Sequence, residues 1–269
     1  MKKKRLIPVL LLKNGILVQS RNFKEFQSLG SPIANVKRLS EWGSDELIFL
    51  DISQEKKYDL KRDDTNFNNQ SSIENILKEI SRFVFMPITV GGNILDLKQI
   101  EKLLRNGADK VSINTMAHKN IKFIREASKE FGSQCIVVSV DVKKELQKYI
   151  MYHSKGKKKS NYNFLEFLET VQNYGAGEIL INSIDQDGLC QGFDIDLIKI
   201  TQENSSIPVI CMGGAGKHQD FYDVVQKTDV DAVAAANFFQ YKDQSVYYTK
   251  KFLYDHNFNF RPPILVDID

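Results

Sequence analysis

Residues 108–114 (ADKVSIN) and 230–237 (VDAVAAAN) decide the fold, because the second stretch resembles the first and follows it by 122 residues. Two further pairs occur in the same order along the chain: 90–93 (VGGN) with 212–215 (MGGA), and 45–52 (DELIFLDI) with 177–184 (GEILINSI). Three matches at nearly equal spacing indicate that the chain consists of two similar halves. A repeat of about 125 residues is too long for the unit of a solenoid.

Short apolar runs rich in β-branched residues recur through both halves. They are residues 6–12, 47–52, 86–90, 110–113, 136–140, 178–182, 207–211 and 231–236. Runs that are apolar on both faces are typical of parallel strands buried on both sides. Seven amphipathic stretches with helical spacing lie between them: 31–43, 72–83, 96–106, 120–131, 163–174, 194–204 and 218–227. Eight strands alternating with helices predict an α/β fold, a (β/α)8 TIM barrel built from two similar half-barrels.

A doubly wound open sheet is the alternative fold. It more often uses five or six strands, and no GxGxxG pattern follows the first strand of this chain. A length of 269 residues would suit two average domains, but it equally suits one barrel. We therefore expect residues 1–269 to form a single barrel, with a polar insertion at 53–71 that lies over the mouth after the second strand.

The composition argues against several classes of function. The net charge of +3 is far below the basic excess of a dedicated nucleic-acid-binding protein. The three cysteines and four histidines are scattered, which predicts reduced thiols and no metal site. The apolar run after the basic N-terminus is short, contains Pro8 and has no cleavage site, so we expect neither a signal peptide nor a membrane span. We therefore expect a cytoplasmic protein that uses no cofactor.

Two glycine pairs, Gly91-Gly92 and Gly213-Gly214, follow the third and seventh predicted strands. Asn114-Thr115 and Asn237 follow the fourth and eighth strands. Glycine allows a backbone to approach a ligand, and successive N–H groups at such turns can bind an anion. The alternative is that these glycines only form tight βα turns. The duplication favours two phosphate sites on opposite sides of one mouth, and hence a substrate with a phosphate at each end.

Three carboxylates fall at strand ends: Asp51 after the second strand, Asp141 after the fifth and Asp187 after the sixth. An acid at the carboxyl end of a barrel strand is more often catalytic than structural. Asp185 is better explained by turn formation or helix capping. We therefore expect Asp141 and Asp187 to perform acid–base chemistry, and Asp51 to contact the substrate.

Many of these motifs are shared with a known family. The matching stretches run nearly from end to end: 4–8 (KRLIP), 49–52 (FLDI), 89–92 (TVGG), 107–115 (GADKVSINT), 131–134 (FGSQ), 175–180 (GAGEIL), 183–185 (SID), 187–188 (DG) and 213–217 (GGAGK). They resemble the cyclase subunit of imidazole glycerol phosphate synthase, a (β/α)8 barrel of the histidine pathway that pairs with a glutaminase. The resemblance implies a heterodimer in which ammonia from the glutaminase crosses the barrel to its mouth. There it would meet a bis-phosphorylated ribulosyl aminoimidazole carboxamide nucleotide, close an imidazole ring and expel an aminoimidazole carboxamide ribotide.

The resemblance also implies a gate for ammonia at the base of the barrel. The gate is formed by four charged side chains, which match Arg5, Glu46, Lys110 and Glu178. Asp109 matches an acid that contacts the partner. The residues alone allow a second interpretation, since three of the four open strands at the amino-terminal face and buried charges must be paired. That interpretation is a purely structural layer of salt bridges.

The departures from the family are equally informative. Its two catalytic aspartates lie at the ends of strands 1 and 5; the second is Asp141, but the first falls on Leu11. Leucine cannot exchange a proton, and the loss of one positioned acid or base typically costs about 100- to 10,000-fold in rate. The lysine of the family's flexible first loop falls on Gln19, Asn93 replaces a third glycine, and Met212 replaces a serine. Among the matched positions, Gln19, Asn93 and Gly188 are expected to bind substrate or phosphate.

The favoured interpretation is a synthase subunit that takes ammonia from a glutaminase and uses it on a phosphorylated sugar or nucleotide by altered chemistry. One alternative is an ordinary histidine-pathway cyclase in which Asp141 alone exchanges protons. Another is a non-catalytic ammonia conduit for a sugar amidotransferase. A phosphoribosyl isomerase barrel is a further possibility, but an isomerase needs no ammonia gate, and Glu46, Lys110 and Glu178 argue against it.

Overall fold

The computed structural model describes residues 2–54, 57–61 and 67–268. Its strands are β1 (Arg5–Lys13), β2 (Ile16–Arg21), β3 (Glu25–Gly30), β4 (Leu47–Asp51), β5 (Ile88–Gly91), β6 (Lys110–Ile113), β7 (Ile136–Glu145), β8 (Lys148–His153), β9 (Lys158–Lys159), β10 (Glu178–Ser183), β11 (Val209–Met212) and β12 (Ala232–Ala235). Its helices are α1 (Pro32–Glu41), α2 (Ile73–Ile80), α3 (Leu97–Arg105), α4 (Thr115–Lys119), α5 (Lys122–Phe131), α6 (Phe164–Asn173), α7 (Ile195–Glu203), α8 (His218–Lys227), α9 (Phe238–Tyr241) and α10 (Ser245–Asp255).

Eight parallel strands close into a barrel in the order β1, β4, β5, β6, β7, β10, β11, β12. β12 pairs with β1, and β10 pairs with both β7 and β11, so the ring is complete. Each predicted apolar run contributes one of these strands, which confirms the (β/α)8 barrel. None of the helices in the described ranges is long and apolar enough to cross a membrane.

Polar residues fix where several of the predicted helices begin. The side-chain oxygens of Asp96, Asn163 and Asp194 accept hydrogen bonds from backbone N–H groups in the first turns of α3, α6 and α7. Such caps satisfy donors that have no partner within the helix. The helices therefore start one residue after the polar residue that opens each predicted stretch.

Side chains alternate along each strand between the barrel interior and the surrounding helices. On β1, Ile7, Val9 and Leu11 belong to a small interior cluster. Leu6 and Leu10 belong instead to the larger cluster between the sheet and the helices. This two-sided burial is the reason that the strand sequences are apolar throughout.

The internal repeat is visible in equivalent hydrogen bonds. The carboxylate of Asp109 accepts from Ile88 N at 2.8 Å, and that of Asp231 accepts from Val209 N at 2.9 Å. In both places the aspartate N–H donates back to the carbonyl of the same partner. The same residue type thus joins β5 to β6 and β11 to β12, as expected for two related half-barrels.

Two hairpins at the carboxyl end of the barrel were not predicted. The first consists of β2 and β3, which follow the turn at Asn14 and Gly15, both with positive φ. In the second, the extension of β7 pairs with β8, and β8 pairs with β9. Its turn at Leu146 and Gln147 also has positive φ but contains no glycine. The usual sequence signal for a tight hairpin turn is therefore missing there.

Candidate active site at the mouth of the barrel

A cavity of about 430 Å³ opens at the carboxyl ends of the strands. Seven of the residues predicted to bind or transform a substrate line it: Asp51, Gly92, Asn93, Asn114, Thr115, Asp141 and Asp187. They come from five different βα units, so closure of the barrel brings together side chains that are far apart in sequence. This position is where barrel enzymes place their chemistry.

Asp141 lies at the carboxyl end of the paired part of β7 and is almost fully buried. Asn182 Nδ2 donates to one carboxylate oxygen at 3.1 Å, and Asn114 Nδ2 donates to the other at 3.2 Å. Burial raises the pKa of Asp141 to about 7; the hydrogen bond from Asn182 lowers it, and the charge of Asp187 adds to the increase. A carboxyl group with this pKa can both accept and donate a proton near neutral pH.

Leu11 occupies the equivalent place in the first half-barrel. It pairs with Leu50 across β1 and β4, just as Asp141 pairs with Asn182 across β7 and β10. Both leucines line the cavity. The mouth therefore has a polar pair, Asp141 with Asn182, on one side and an apolar pair, Leu11 with Leu50, at the two-fold related position.

The β2–β3 hairpin covers the second half of the mouth. Ser20 Oγ donates to Asp187 at 2.7 Å, and the N–H of Phe23 donates to the same carboxylate oxygen at 3.2 Å. Burial is the main cause that raises the pKa of Asp187, although both hydrogen bonds lower it. The Asn237 amide donates to Ser20 O at 2.7 Å and accepts from Ser20 N at 3.3 Å.

Several predicted contact residues do not line the cavity: Gln19, Gly91, Gly188, Gly213, Gly214 and Asn237. Gln19 donates within the hairpin to Gln27 Oε1 at 2.6 Å. Gly188 packs so closely that an added Cβ would stand 2.4 Å from Ser20 O. Of the second predicted phosphate set, Asn237 is covered by the β2–β3 hairpin, whereas Gly213 and Gly214 pack against Ser183 and Gly192.

Asp51 is held by neighbouring groups. Its oxygens accept from the N–H of Ser53 at 2.8 Å and from the hydroxyl of Tyr58 at 2.9 Å. Tyr58 is buried and belongs to the predicted insertion 53–71. Residues 55, 56 and 62–66 of that insertion lie outside the described residues. Where it is described, the insertion packs on the end of β4.

The loop after β5 requires glycine at one position. Gly92 has φ of +98°, and an added Cβ would stand 2.0 Å from the carbonyl oxygen of Asp51. The next residue, Asn93, also has positive φ, and its Nδ2 donates to Ser53 O at 3.0 Å. The loop is therefore locked against the end of β4.

Gly92→Ala is expected to destabilise the protein more than Gly30→Ala does. Gly30 has nearly the same φ, +100°, but an added Cβ there meets no heavy atom within 4 Å. Both variants bear backbone strain of about 1–3 kcal/mol, whereas only Gly92→Ala adds overpacking of about 2 kcal/mol. Urea unfolding of the two variants measures the difference, and equal losses would contradict this account.

Ser112 and Asn182 are among the polar side chains that line the cavity without having been predicted from the sequence. Each has a buried oxygen, Ser112 Oγ and Asn182 Oδ1, that finds no partner among the residues which the structure describes. Buried polar atoms are rarely left unpaired, and unpaired atoms in a cavity are suited to a polar ligand. The available signal was alternation along β6 and β10, which places both residues on the same face as Lys110 and Glu178.

The four predicted gate residues form a closed ring of charges at the opposite end of the barrel. Arg5 Nη1 lies 2.7 Å from Glu46 Oε2 and 3.0 Å from Glu178 Oε1. Lys110 Nζ lies 3.1 Å from Glu46 Oε1 and 3.2 Å from Glu178 Oε2. Thr89 Oγ1 donates a further hydrogen bond to Glu46 at 2.8 Å. Each cation contacts both anions. Because the ring contains two positive and two negative side chains, its net charge is zero.

Three of the four side chains in the ring are more exposed than the fourth, Glu46. The side chain of Glu46 is 2% exposed, whereas those of Arg5 and Lys110 are 17% exposed and that of Glu178 is 12% exposed. Asp109, the predicted partner contact, lies at the start of β6 beside Lys110, where its carboxylate accepts from Ile88 N. No group of metal-ligating side chains occurs within residues 2–54, 57–61 and 67–268.

The fold and the cavity at the carboxyl ends of its strands place the protein in the class of (β/α)8-barrel enzymes. Comparison with known proteins narrows the class. The profile of the family described as histidine biosynthesis protein matches residues 5–245.

Three relatives, each named imidazole glycerol phosphate synthase subunit HisF, match nearly the whole chain. The relative from Hydrogenobaculum sp. (strain Y04AAS1) is 37% identical over 259 residues, 96% of this chain and 98% of the relative. That from Clostridium botulinum (strain Alaska E43 / Type E3) is 38% identical over 255 residues, 94% and 96% respectively. That from Bacillus cereus (strain G9842) is 39% identical over 259 residues, 96% and 98%. The chain therefore belongs to the histidine biosynthesis family and is a homologue of the cyclase subunit of imidazole glycerol phosphate synthase, a lyase-type enzyme.

Proposed function

We propose that this chain is an ammonia-accepting synthase subunit that acts on a phosphorylated sugar or nucleotide by chemistry that differs from ring closure in the histidine pathway. The observation that carries the proposal is the combination of an intact charge ring with an apolar Leu11–Leu50 pair at the mouth. The ring supports ammonia transfer, whereas the apolar pair removes one of the two acids that the family uses.

The barrel interior supports a route for ammonia between the ring and the mouth. Small side chains occupy inward-facing positions along this path: Thr89, Gly91, Ser112, Ser139, Ala232 and Ala234. Neutral ammonia can enter such an interior, whereas the ammonium ion would lose its hydration there. In the ring, the exposed edges of Arg5 and Lys110 lower the cost of parting the ion pairs, since water can solvate the separated charges.

The first half of the mouth is the proposed site for a substrate phosphate. Gly92, Asn93, Asn114 and Thr115 line the cavity there, and amide, hydroxyl and backbone N–H groups are common phosphate ligands. Asp141 would exchange a proton with the substrate, and Asp187 would contact it when the hairpin residues Ser20 and Phe23 move away. No cofactor enters this proposal.

We further propose a glutaminase as the partner, docked at the base of the barrel where Asp109 lies. The family resemblance and the position of the charge ring support this heterodimer. The three free cysteines are in keeping with a cytoplasmic setting, and no nucleic-acid or membrane partner is proposed. Co-purification with a glutaminase tests the partner: the barrel should form a complex with it and stimulate glutamine hydrolysis, and failure of both would remove the role in ammonia delivery.

Leu11→Asp is expected to raise imidazole ring closure by about 100-fold or more, because it restores the missing acid opposite Asp141. The assay supplies ammonium chloride and the bis-phosphorylated nucleotide. Leu50→Asp is the matched control, since it adds a carboxylate to the neighbouring strand at the same level and should give no gain. Growth of a histidine auxotroph at the normal rate with the unaltered chain would overturn the altered-chemistry proposal.

A non-catalytic conduit is the second candidate function. The hydrogen bonds that occupy Asp51 and Asp187 favour it, since these acids are engaged within the chain. The two candidates differ in one measurement. A conduit should release ammonia at the mouth without consuming any phosphorylated acceptor, whereas a synthase subunit should couple ammonia use to loss of that acceptor.

A further inference from the structure

Lys155 extends over the mouth from the tip of the β8–β9 hairpin. Ser154, Lys155 and Gly156 all have positive φ, at 55°, 63° and 72°. The turn directs the side chain across the cavity to the end of β4. There Nζ donates to the carbonyl oxygens of Ile52 at 2.9 Å and Ser53 at 2.6 Å. This single side chain therefore connects the fifth and second barrel strands above the cavity.

The charge of Lys155 is compensated in part by Asp51, without a direct ion pair among the described residues. No carboxylate oxygen within the described part of the chain lies within 4.0 Å of Nζ, and two neutral carbonyls are its hydrogen-bond acceptors there. Burial lowers the pKa of Lys155, Lys157 and Lys13 lower it further, and the charge of Asp51 raises it. A half-buried cation with one N–H left over is suited to an anionic ligand.

Lys155 is adjacent to the residues proposed to hold a phosphate. Ser53 O accepts both Lys155 Nζ and Asn93 Nδ2, the second at 3.0 Å. On the other side, the N–H of Ser154 donates to Thr115 Oγ1 at 3.1 Å. Asn93 and Thr115 are neutral, so by themselves they offer a phosphate hydrogen bonds but no charge.

We propose that Lys155 binds the substrate phosphate in the first half of the mouth, together with Asn93 and Thr115. It adds a positive charge to a cavity that Lys13, Lys119 and Lys157 also line, whereas Gln19, on β2, adds none. The inference rests on the proposed phosphate site and adds a residue to it. A lysine binds phosphate as a point charge, and a charge-assisted hydrogen bond is about twice as strong as a neutral one.

Inorganic phosphate is the probe, and its dissociation constant for the full chain is measured by titration calorimetry at two salt concentrations. Lys155→Gln removes the charge but keeps an N–H donor for the two carbonyls, and we expect it to weaken binding about tenfold. Its affinity should also depend less on salt. Lys155→Arg should bind within about threefold of the unaltered chain, since it restores the charge. Lys158→Met, an exposed position on the same hairpin, is the matched control and should bind as the unaltered chain does.

The outcomes separate this inference from the function on which it rests. If the unaltered chain binds no phosphate, the proposed phosphate site is wrong, and the role of Lys155 with it. If the unaltered chain binds phosphate and Lys155→Gln binds equally well, the site stands and the role of Lys155 is overturned. Thermal unfolding of each variant identifies a structural effect: equal weakening by Lys155→Gln and Lys155→Arg with a lowered Tm would also overturn it.

Discussion

Asp141→Asn is expected to lower ammonia-dependent turnover by about 100-fold or more, because the variant removes a buried acid at the mouth whose pKa is raised to about 7. Turnover is measured with ammonium chloride as the ammonia donor. The Asp141→Asn substitution is made both in the unaltered chain and in the Leu11→Asp variant. The substituted amide fits the same space: its oxygen can accept from Asn114 Nδ2, and its N–H can donate to Asn182 Oδ1 when the Asn182 amide group turns over. The loss is therefore chemical rather than structural.

The effect of the same substitution on the pH dependence of folding stability can be measured without a substrate. Burial raises the pKa of Asp141 from 3.8 to about 7 in the folded protein. Between these values the folded chain holds a proton that the unfolded chain has released, so stability falls as pH rises from about 4 to about 7. Asp141→Asn lacks this contribution. Its Tm relative to the unaltered chain should therefore be higher at pH 8 than at pH 4.

Asp185→Asn is the matched control for both measurements. Asp185 also follows β10 at the carboxyl end of the barrel, but its carboxylate accepts from Lys144 N and does not line the cavity. We expect its turnover to stay within about threefold of the unaltered chain, as for a surface substitution away from the site. An equal loss in both aspartate variants, or an unchanged pH profile in Asp141→Asn, would refute the role assigned to Asp141.

The barrel could be predicted from the sequence because each strand is buried on both faces and each half repeats the other. The hairpin that turns at Leu146 and Gln147 could not, whereas Asn14-Gly15, the turn between β1 and β2, is a recognised sequence signal for a hairpin. The turn at Leu146 and Gln147 has no glycine, and the left-handed backbone at Ser154 and Lys155 is held by contacts distant in sequence. Tertiary packing therefore determines these turns, and local residue preference does not reveal them.

Some residues of the candidate site could be predicted from the sequence and others could not. Asp141 and Asn114 lie directly after strands, where position alone suggests a role. Asn182 lies inside an apolar strand. Its contact with Asp141 is evident only once β10 is known to pair with β7. Lys155 could not be found from spacing, because its place over β4 depends on a hairpin that crosses the mouth. The covering of Asn237 by Ser20 is likewise a contact between opposite ends of the chain.

Glu46→Gln is expected to lower the free energy of unfolding by about 3 kcal/mol, near the lower end for a broken buried ion pair because Arg5 and Lys110 keep some access to water. The substituted amide keeps the shape of the side chain, and its oxygen can still accept from Thr89. The variant leaves two cations facing Glu178 alone, so the ring carries a net positive charge. Urea unfolding measures the loss.

Glu101→Gln is the matched control for stability, since Glu101 pairs with Arg105 on the surface of α3. Removal of such an exposed pair should cost about 0.5 kcal/mol or less.

In the complex with a glutaminase, Glu46→Gln should lower glutamine-dependent turnover several-fold more than ammonium-dependent turnover. On the proposed route, ammonium from solution reaches the mouth directly, whereas ammonia from the partner would pass the altered ring. If both activities fall equally while stability falls as expected, the ring holds the barrel together and has no part in ammonia transfer.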